Sequence, residues 1–496
     1  MVNSISQTPK TTKASIFYIN DIHGQVTKME RIKTASDQFD SFTPQSKTDK
    51  LKLSSGDTML GSGVKENKAI AEFLKVIGIT ATAVGNHECD IPPEMLIELT
   101  KNHNYKLLGL NANIVDNNPW NGKILKSCIQ EINGNKYGIM GIMPSDIFLR
   151  IKNQENFAGI TVDEWDQTIK EVQQEIDNLK QQGINKIILL SHGGYELEKR
   201  IAKETSGIDV IIGGHSHDLL KGVEEGKNLL YSNKTGEPVV ITQAGKDGNN
   251  FGILNLEFNE NGVITQVQNN VQETKSFAKN APMQYFFDTI IGKSEKVGFI
   301  SKAYDKELNR LAEENPNASF LADAIKSELK TDIALINASN MRGEFVVGDV
   351  YTRDITSLTP FKDKMTIVEL TEKEIVDALK FGAKSLTKPD FKPGIMQVAG
   401  IRYKINKSGE LLEAKIIDRY NKETIVDINN PSTDKKYTVG MHDFLTRGGD
   451  GYSMLDKRNS ALARFDFDKD KCAIDYIKKA ASPIEIQLDG RIQIVD

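Results

Sequence analysis

Cysteine is scarce in this chain. Its 496 residues include three, Cys89, Cys128 and Cys472, far apart and without a C-x-x-C pair. That number and spacing exclude a disulfide framework or a thiolate zinc site as the organising element. An excess of positive charge is also missing. The net charge of -5 argues against a nucleic-acid polymer as partner. No window reaches the apolar length of a membrane span. The N-terminal stretch MVNSISQTPKTTKASIFYIN has no basic region leading into a long apolar one. The sequence as it stands is therefore expected to be cytoplasmic. Nothing in it speaks to oligomeric state.

What is present is the composition of a soluble globular protein, 39% hydrophobic and 26% charged. Its length calls for two or three domains. Residues 14–270 alternate short apolar runs (SIFYIN, LKLSS, TATAV, KLLGLNA, KYGIMGI, NKIILLS, IDVIIGG, PVVITQA) with amphipathic segments such as NKAIAEFLKVIG. Strand alternating with helix predicts an α/β sheet domain. Residues 271–315 are more polar and read as a linker region. Residues 316–496 read as a second, smaller α/β domain with strands in TDIALIN, MTIVEL, QVAGIRYKI and YTVGM.

Histidine is also rare, and its placement is informative. Of seven, five follow an apolar run and stand beside glycine, aspartate or asparagine: His23, His87, His192, His215 and His217. The clusters are Asp21-Ile22-His23-Gly24, Gly56-Asp57, Gly85-Asn86-His87-Glu88, Ser191-His192-Gly193-Gly194 and Gly213-Gly214-His215-Ser216-His217. Open α/β sheets gather their sites outside the carboxyl ends of strands, so these clusters should converge on one edge. In an extended segment Asp21 and His23 point to one side, as do His215 and His217, so each pair is expected to reach one small object. Carboxylate, imidazole and amide donors without sulfur suit Zn, Mn, Fe or Co. The donors are too many for one tetrahedral ion. Two divalent ions about 3.5–4 Å apart can activate a bridging water for in-line attack at phosphorus. A carboxylate must bridge them, and Asp57, alone in its cluster, is the choice. His87 follows Asn86 on a turn and should diverge from it towards substrate. Asp90, three residues on, returns to the same face and orients the imidazole. His87 then stabilises the transition state or protonates the leaving group.

D-x-H, G-D, G-N-H-E, S-H and G-H-x-H in this order resemble the metallophosphoesterase superfamily. G-N-H-E-x-D with QAGKDGNNFG at 243–252 is similar to its 5'-nucleotidase branch, which includes UDP-sugar hydrolases and 2',3'-cyclic-nucleotide phosphodiesterases. The resemblance implies a four-layer αββα catalytic domain and a C-terminal substrate-binding domain. It implies metal ligands Asp21, His23, Asp57, Asn86, His192, His215 and His217, and a His87–Asp90 dyad. It also implies a nucleotide or other small phosphoester as substrate, and a periplasmic or cell-surface location for most members.

In the second domain, DIALINASNMRGEF is similar to the family strand ending in N-G-G-G-I-R, and DFLTRGGDGYSML to F-x-x-x-G-G-D-G-[YF]. By position Phe444 is expected to stack on a base and Asp450 to bond the ribose hydroxyls. Arg342 is expected to contact phosphate or ribose, with a structural salt bridge as its alternative. The chain departs from the family at Ala338, Ser339 and Asn340, at Lys362 and Asp363, at Ala318 and Ser319, and at Ile395, where a second stacking aromatic is usual. Plainer readings remain for His103 and His442 (unassigned), Cys89 (core), Glu88 (acceptor for a ligand histidine) and Asp247 (turn). The activity expected is hydrolysis of nucleoside 5'-monophosphates at two divalent ions. UDP-sugars, cyclic nucleotides or a sulfur-carrying substrate are the alternatives, and a non-catalytic surface protein is a further one.

Overall fold

The computed structural model describes residues 11–42, 47–61, 63–151, 154–306, 308–309, 311–361, 363–388, 393–480 and 483–496. The first ten residues and Lys362 lie outside them. The chain divides into two compact units, Met1–Lys293 and Ser294–Asp496. The division falls inside the segment expected to be a linker. That segment also holds the helix Ala281–Ile291, whose Met283 and Phe287 join the first unit's core.

The first unit is built on two sheets. One has the order Ile264–Glu273, Asn250–Phe258, Thr12–Ile19, Asp49–Ser54, Ala81–Ala83, Lys106–Leu108 and Ile124–Leu125. The other has the order Leu229–Tyr231, Pro238–Thr242, Val210–Ile212, Ile187–Ser191, Asn135–Ile142 and Ser127–Ile132. Alternation along each strand makes the layers. Ile16, Tyr18, Leu53 and Ala83 face Tyr137, Ile139, Leu190 and Ile212 between the sheets. Phe17 and Ile19 point the other way, onto Ile32, Ile70 and Phe73 of the helices Val26–Ser41 and Val64–Ile77. Ile142, Leu189 and Ile211 pack on Val172, Ile176 and Leu197 of Trp165–Gln181 and Tyr195–Glu204. Helix, sheet, sheet and helix make four layers. Strands buried on both faces explain the near-continuous apolar runs.

Parallel pairing positions the site. Thr12–Ile19, Asp49–Ser54 and Ala81–Ala83 run parallel in one sheet. Asn135–Ile142, Ile187–Ser191, Val210–Ile212 and Pro238–Thr242 do so in the other. The carboxyl ends in each sheet therefore emerge along one edge.

The second unit has a sheet ordered Met396–Ala399, Ile333–Asn337, Lys436–His442, Lys364–Thr371 and Ala463–Asp468. A further sheet holds Glu423–Ile425, Leu411–Ile417, Ile401–Asn406 and Ile492–Val495. The run QVAGIRYKI, expected as one strand, is two strands in these two sheets. Gly400 separates them with φ 74°, and a Cβ there would fall 2.3 Å from the Asp332 carbonyl oxygen. Among the described residues no helix is long and apolar enough to cross a membrane.

Candidate metal centre

All five strand-end clusters of the first unit meet. Asp21, His23, Asp57, His215 and His217 have φ of 49°, 50°, 49°, 72° and 64°. Left-handed backbone at a non-glycine residue costs on the order of 1–3 kcal/mol and persists only where its surroundings over-determine it. This strain replaces the extended geometry expected for the two paired clusters, and it changes where one of them points. Asp21 and His23 still reach one place, with His217. His215 turns instead to Asp57 and His192. Left-handed backbone at His215 and at His217, with Ser216 between them, thus sends the two histidines of G-H-x-H to different groups.

Distances define the groups. His217 Nε2 lies 3.3 Å from Asp21 Oδ1, and His23 Nε2 lies 3.8 Å from the same oxygen. His192 Nε2 is 3.1 Å and His23 Nε2 3.5 Å from Asp57 Oδ2. His215 Nδ1 is 3.0 Å from Asn86 Oδ1. Asp57 Oδ2 therefore faces an imidazole from each group. Asp21, Asp57, His23 and His192 are all buried.

The outer ring nitrogens decide which inner nitrogens carry lone pairs. His23 Nδ1 meets Asp247 Oδ1 at 3.0 Å, and His192 Nδ1 donates to the Ser55 carbonyl at 2.6 Å. His215 Nε2 meets Asp146 Oδ1 at 3.0 Å. Each of these partners is an acceptor, so each outer nitrogen holds the proton. The inner lone pairs then confront oxygen lone pairs, and His192 Nε2 is buried without a hydrogen-bond partner. Only positive charge between them relieves that. Two ligands of one ion at about 2.1 Å each and a tetrahedral angle stand about 3.4 Å apart, within the spacing seen here. Nitrogen and oxygen donors in this arrangement fit divalent metal ions.

Without an ion, the same need for positive charge falls on the proton. Burial opposes charge on His23, yet Asp247 and Asp57 outweigh it and push its pKa up to about 9. Burial likewise opposes charge on His192, but Asp57 and Asp21 push it up to about 10. Burial would raise the Asp57 carboxyl, but His192 and His87 hold it well below its ordinary value. Asp21 is lowered against its burial by His217, His192 and His23.

His87 opens the short turn His87–Asp90. Its Nδ1 lies 2.8 Å from Asp90 Oδ2, and its backbone N–H donates to Asp57 Oδ1 at 2.8 Å. Its side chain is 24% exposed and its ring reaches the His23 and Asp57 donors, whereas Asn86 is buried and faces His215. Glu88 departs from expectation. It accepts from the backbone N–H groups of Asp57, Thr58, Met59 and Gly85 and from the Thr58 hydroxyl. It therefore holds the Asp57 loop rather than a histidine. Asp247 is a turn residue, with φ 55°, and also the buried acceptor for His23. Asp146 was missed altogether. Both follow parallel strands of the second sheet, and that was the signal available for them. Cys89 is buried in the core, and burial raises its thiol well above its ordinary pKa.

Comparison with known proteins adds the family. Residues 14–219 match the model of the calcineurin-like phosphoesterases, and residues 290–457 that of the 5'-nucleotidase C-terminal domain. The chain belongs to the 5'-nucleotidase family of calcineurin-like phosphoesterases. It is 25% identical to a trifunctional nucleotide phosphoesterase of Bacillus subtilis, over 97% of this chain but 35% of that longer protein. It is 28% identical to a probable 5'-nucleotidase of Treponema pallidum, over 82% of this chain and 79% of the relative. Its fold is similar to that of a 5'-nucleotidase precursor from Thermus thermophilus, with TM-score 0.68, 20% identity, and 98% and 99% of the two chains covered.

In the second unit of this phosphoesterase, Phe444 and Asp450 belong to one compact turn, closed by a bond from Gly449 N–H to the Phe444 carbonyl at 3.0 Å. Both are part-exposed. The Arg342 guanidinium lies over the Phe361 ring, 5.7 Å from its centroid. Ile395, at the position of the second aromatic, is fully buried in the core and forms no wall. Ser339, at a family glycine, hydrogen-bonds Asp450.

Proposed function

We propose that this phosphoesterase releases phosphate from nucleoside 5'-monophosphates or related nucleotides at a dinuclear centre of Zn, Mn, Fe or Co. The observation that carries the reading is Asp57 Oδ2, which stands between His23 of one ligand group and His192 of the other, at 3.5 and 3.1 Å. Asp21, His23 and His217 would hold one ion; Asn86, His192 and His215 would hold the second, with Asp57 shared. Such ions, when bound, supply Lewis acidity that neutralises phosphoryl charge and acidifies water.

The chain's own groups do the rest. Asp90 accepts the His87 Nδ1–H and so fixes the ring's orientation. The protonated ring donates from Nε2 to a phosphoryl or leaving oxygen. The bond from His87 N–H to Asp57 Oδ1 ties this dyad to the shared carboxylate. Phe444 offers an aromatic face for a base, Asp450 an acceptor for a diol, and Arg342 a charge for phosphate. Elemental analysis of the purified protein, paired with phosphate release from AMP, UDP-glucose and 2',3'-cAMP, tests the reading. Two ions per chain and a preference for AMP are expected. Metal-loaded protein that cleaves none of the three would overturn it.

A further inference from the structure

The second unit contains a buried histidine outside the metal centre, at the junction of both nucleoside-binding candidates. His442 ends the strand Lys436–His442, and Asn337 ends its parallel neighbour Ile333–Asn337. The imidazole is fully buried. Its Nε2 is 2.9 Å from Asn337 Oδ1, an acceptor, so Nε2 carries the proton and donates. That bond fixes the Asn337 amide with its oxygen towards His442. Its nitrogen must then point the other way, where it donates to Asp450 Oδ2 at 2.6 Å and to the Ser339 hydroxyl at 2.8 Å. Ser339 in turn donates to Asp450 Oδ2. Both donors fall on Oδ2, and Oδ1 carries neither.

The same imidazole is a packing surface. It lies parallel to the Phe444 ring, 8° between planes and 6.1 Å between centroids. Gly449 closes on Phe444 so tightly that a Cβ would sit 2.4 Å from the ring. Asp450 itself has φ 55°, a conformation that needs external bonds to hold it. Burial pushes the His442 pKa down to about 3, which keeps the ring a neutral single donor.

We propose that His442 is the positioning residue of a nucleoside clamp. It sets the Phe444 ring by packing and aims the Asp450 carboxylate through Asn337, leaving Oδ1 to take a ribose diol. This rests on the nucleotide reading above. The clamp selects for a nucleoside rather than for phosphate, so its loss should appear as lost selectivity.

The test compares kcat/KM for AMP with that for p-nitrophenyl phosphate, which has no nucleoside, using the metal-loaded full chain. H442L is expected to lower the AMP to p-nitrophenyl phosphate ratio at least ten-fold, mainly through KM for AMP. H442Q retains an N–H donor and should recover most of it. N337D keeps the volume but replaces the amide donor with a carboxylate facing Asp450. It should lose selectivity like H442L, and it decides the matter if H442L does not fold. An unchanged ratio in either folded variant, or an equal loss on both substrates, overturns the proposal. Should the wild type cleave p-nitrophenyl phosphate but no nucleotide, the nucleotide reading fails separately. Adenosine binding by calorimetry then decides the clamp: ten-fold weakening in the variants upholds it, and no binding to wild type overturns it.

Discussion

Replacing Asp247 by glycine removes the carboxylate that accepts from His23 Nδ1 while leaving a backbone free to keep φ 55°. Alanine would add left-handed strain to the measurement; glycine does not. The matching change at the other group is Asp146→Ala, which removes the acceptor for His215 Nε2 at 3.0 Å. Losing the acceptor behind a ligand histidine typically weakens metal binding about 10- to 100-fold. Burial decides where each variant falls in that range. The Asp247 side chain is 5% exposed. Water does not readily replace it, and a buried N–H is left unsatisfied. D247G should therefore cost about 100-fold. The Asp146 side chain is 32% exposed, so water can accept the freed N–H, and D146A should cost about ten-fold. The assay is a competition titration of Co2+ or Mn2+ against a chelator, which reads affinity without turnover. Equal losses, or a larger loss in D146A, would refute the argument that burial sets the value of these contacts.

Three further outcomes follow from the same geometry. Glu88→Gln places an amide nitrogen against backbone donors, two on one oxygen and three contacts on the other. At about 1–3 kcal/mol per unsatisfied buried donor, urea unfolding should show a loss of at least about 2 kcal/mol, and a change under about 1 kcal/mol would refute it. His87→Gln should lower kcat by roughly 10²–10⁴ while elemental analysis finds the metal content retained; lost metal would make His87 a ligand instead. Glu198 is buried, and desolvation pushes its pKa up to about 8. The folded state therefore holds a proton that the unfolded chain has released, and stability falls as pH rises from about 4.5 to 8. E198Q removes that titration. Its stability relative to wild type should rise by up to about 1.4 kcal/mol per pH unit across this window, read by denaturation at pH 5.5 and 7.5, and a pH-independent difference would contradict the assignment.

Much of the centre was legible because each cluster stands at the end of an apolar run. A strand buried on both faces must end where polar side chains begin, and parallel pairing stacks those ends on one edge. The His87–Asp90 pair was legible for a local reason, since three residues on a tight turn return to one face. Asp146 and Asp247 were not, because a single aspartate in a loop has no local sign of its partner. Asp247 and His23 are 224 residues apart in the chain. The antiparallel strands Asn250–Phe258 and Ile264–Glu273 also escaped notice, since their outward residues are polar and break the apolar run.

By itself the sequence determined which donors exist, where strands end, and therefore that carboxylate, imidazole and amide groups without thiolates crowd one edge of an α/β domain. Tertiary structure alone decided how they are used. It sent His215 and His217 to different groups through left-handed backbone, and it chose the inner nitrogen of His23, His192 and His215 by placing a distant acceptor behind each ring. It also put a serine hydroxyl and an asparagine amide on Asp450, and a buried histidine behind that amide. The reason is that a side chain's chemistry is fixed by its covalent structure. Its protonation site and direction are fixed by the partner opposite it, which the fold brings from far along the chain.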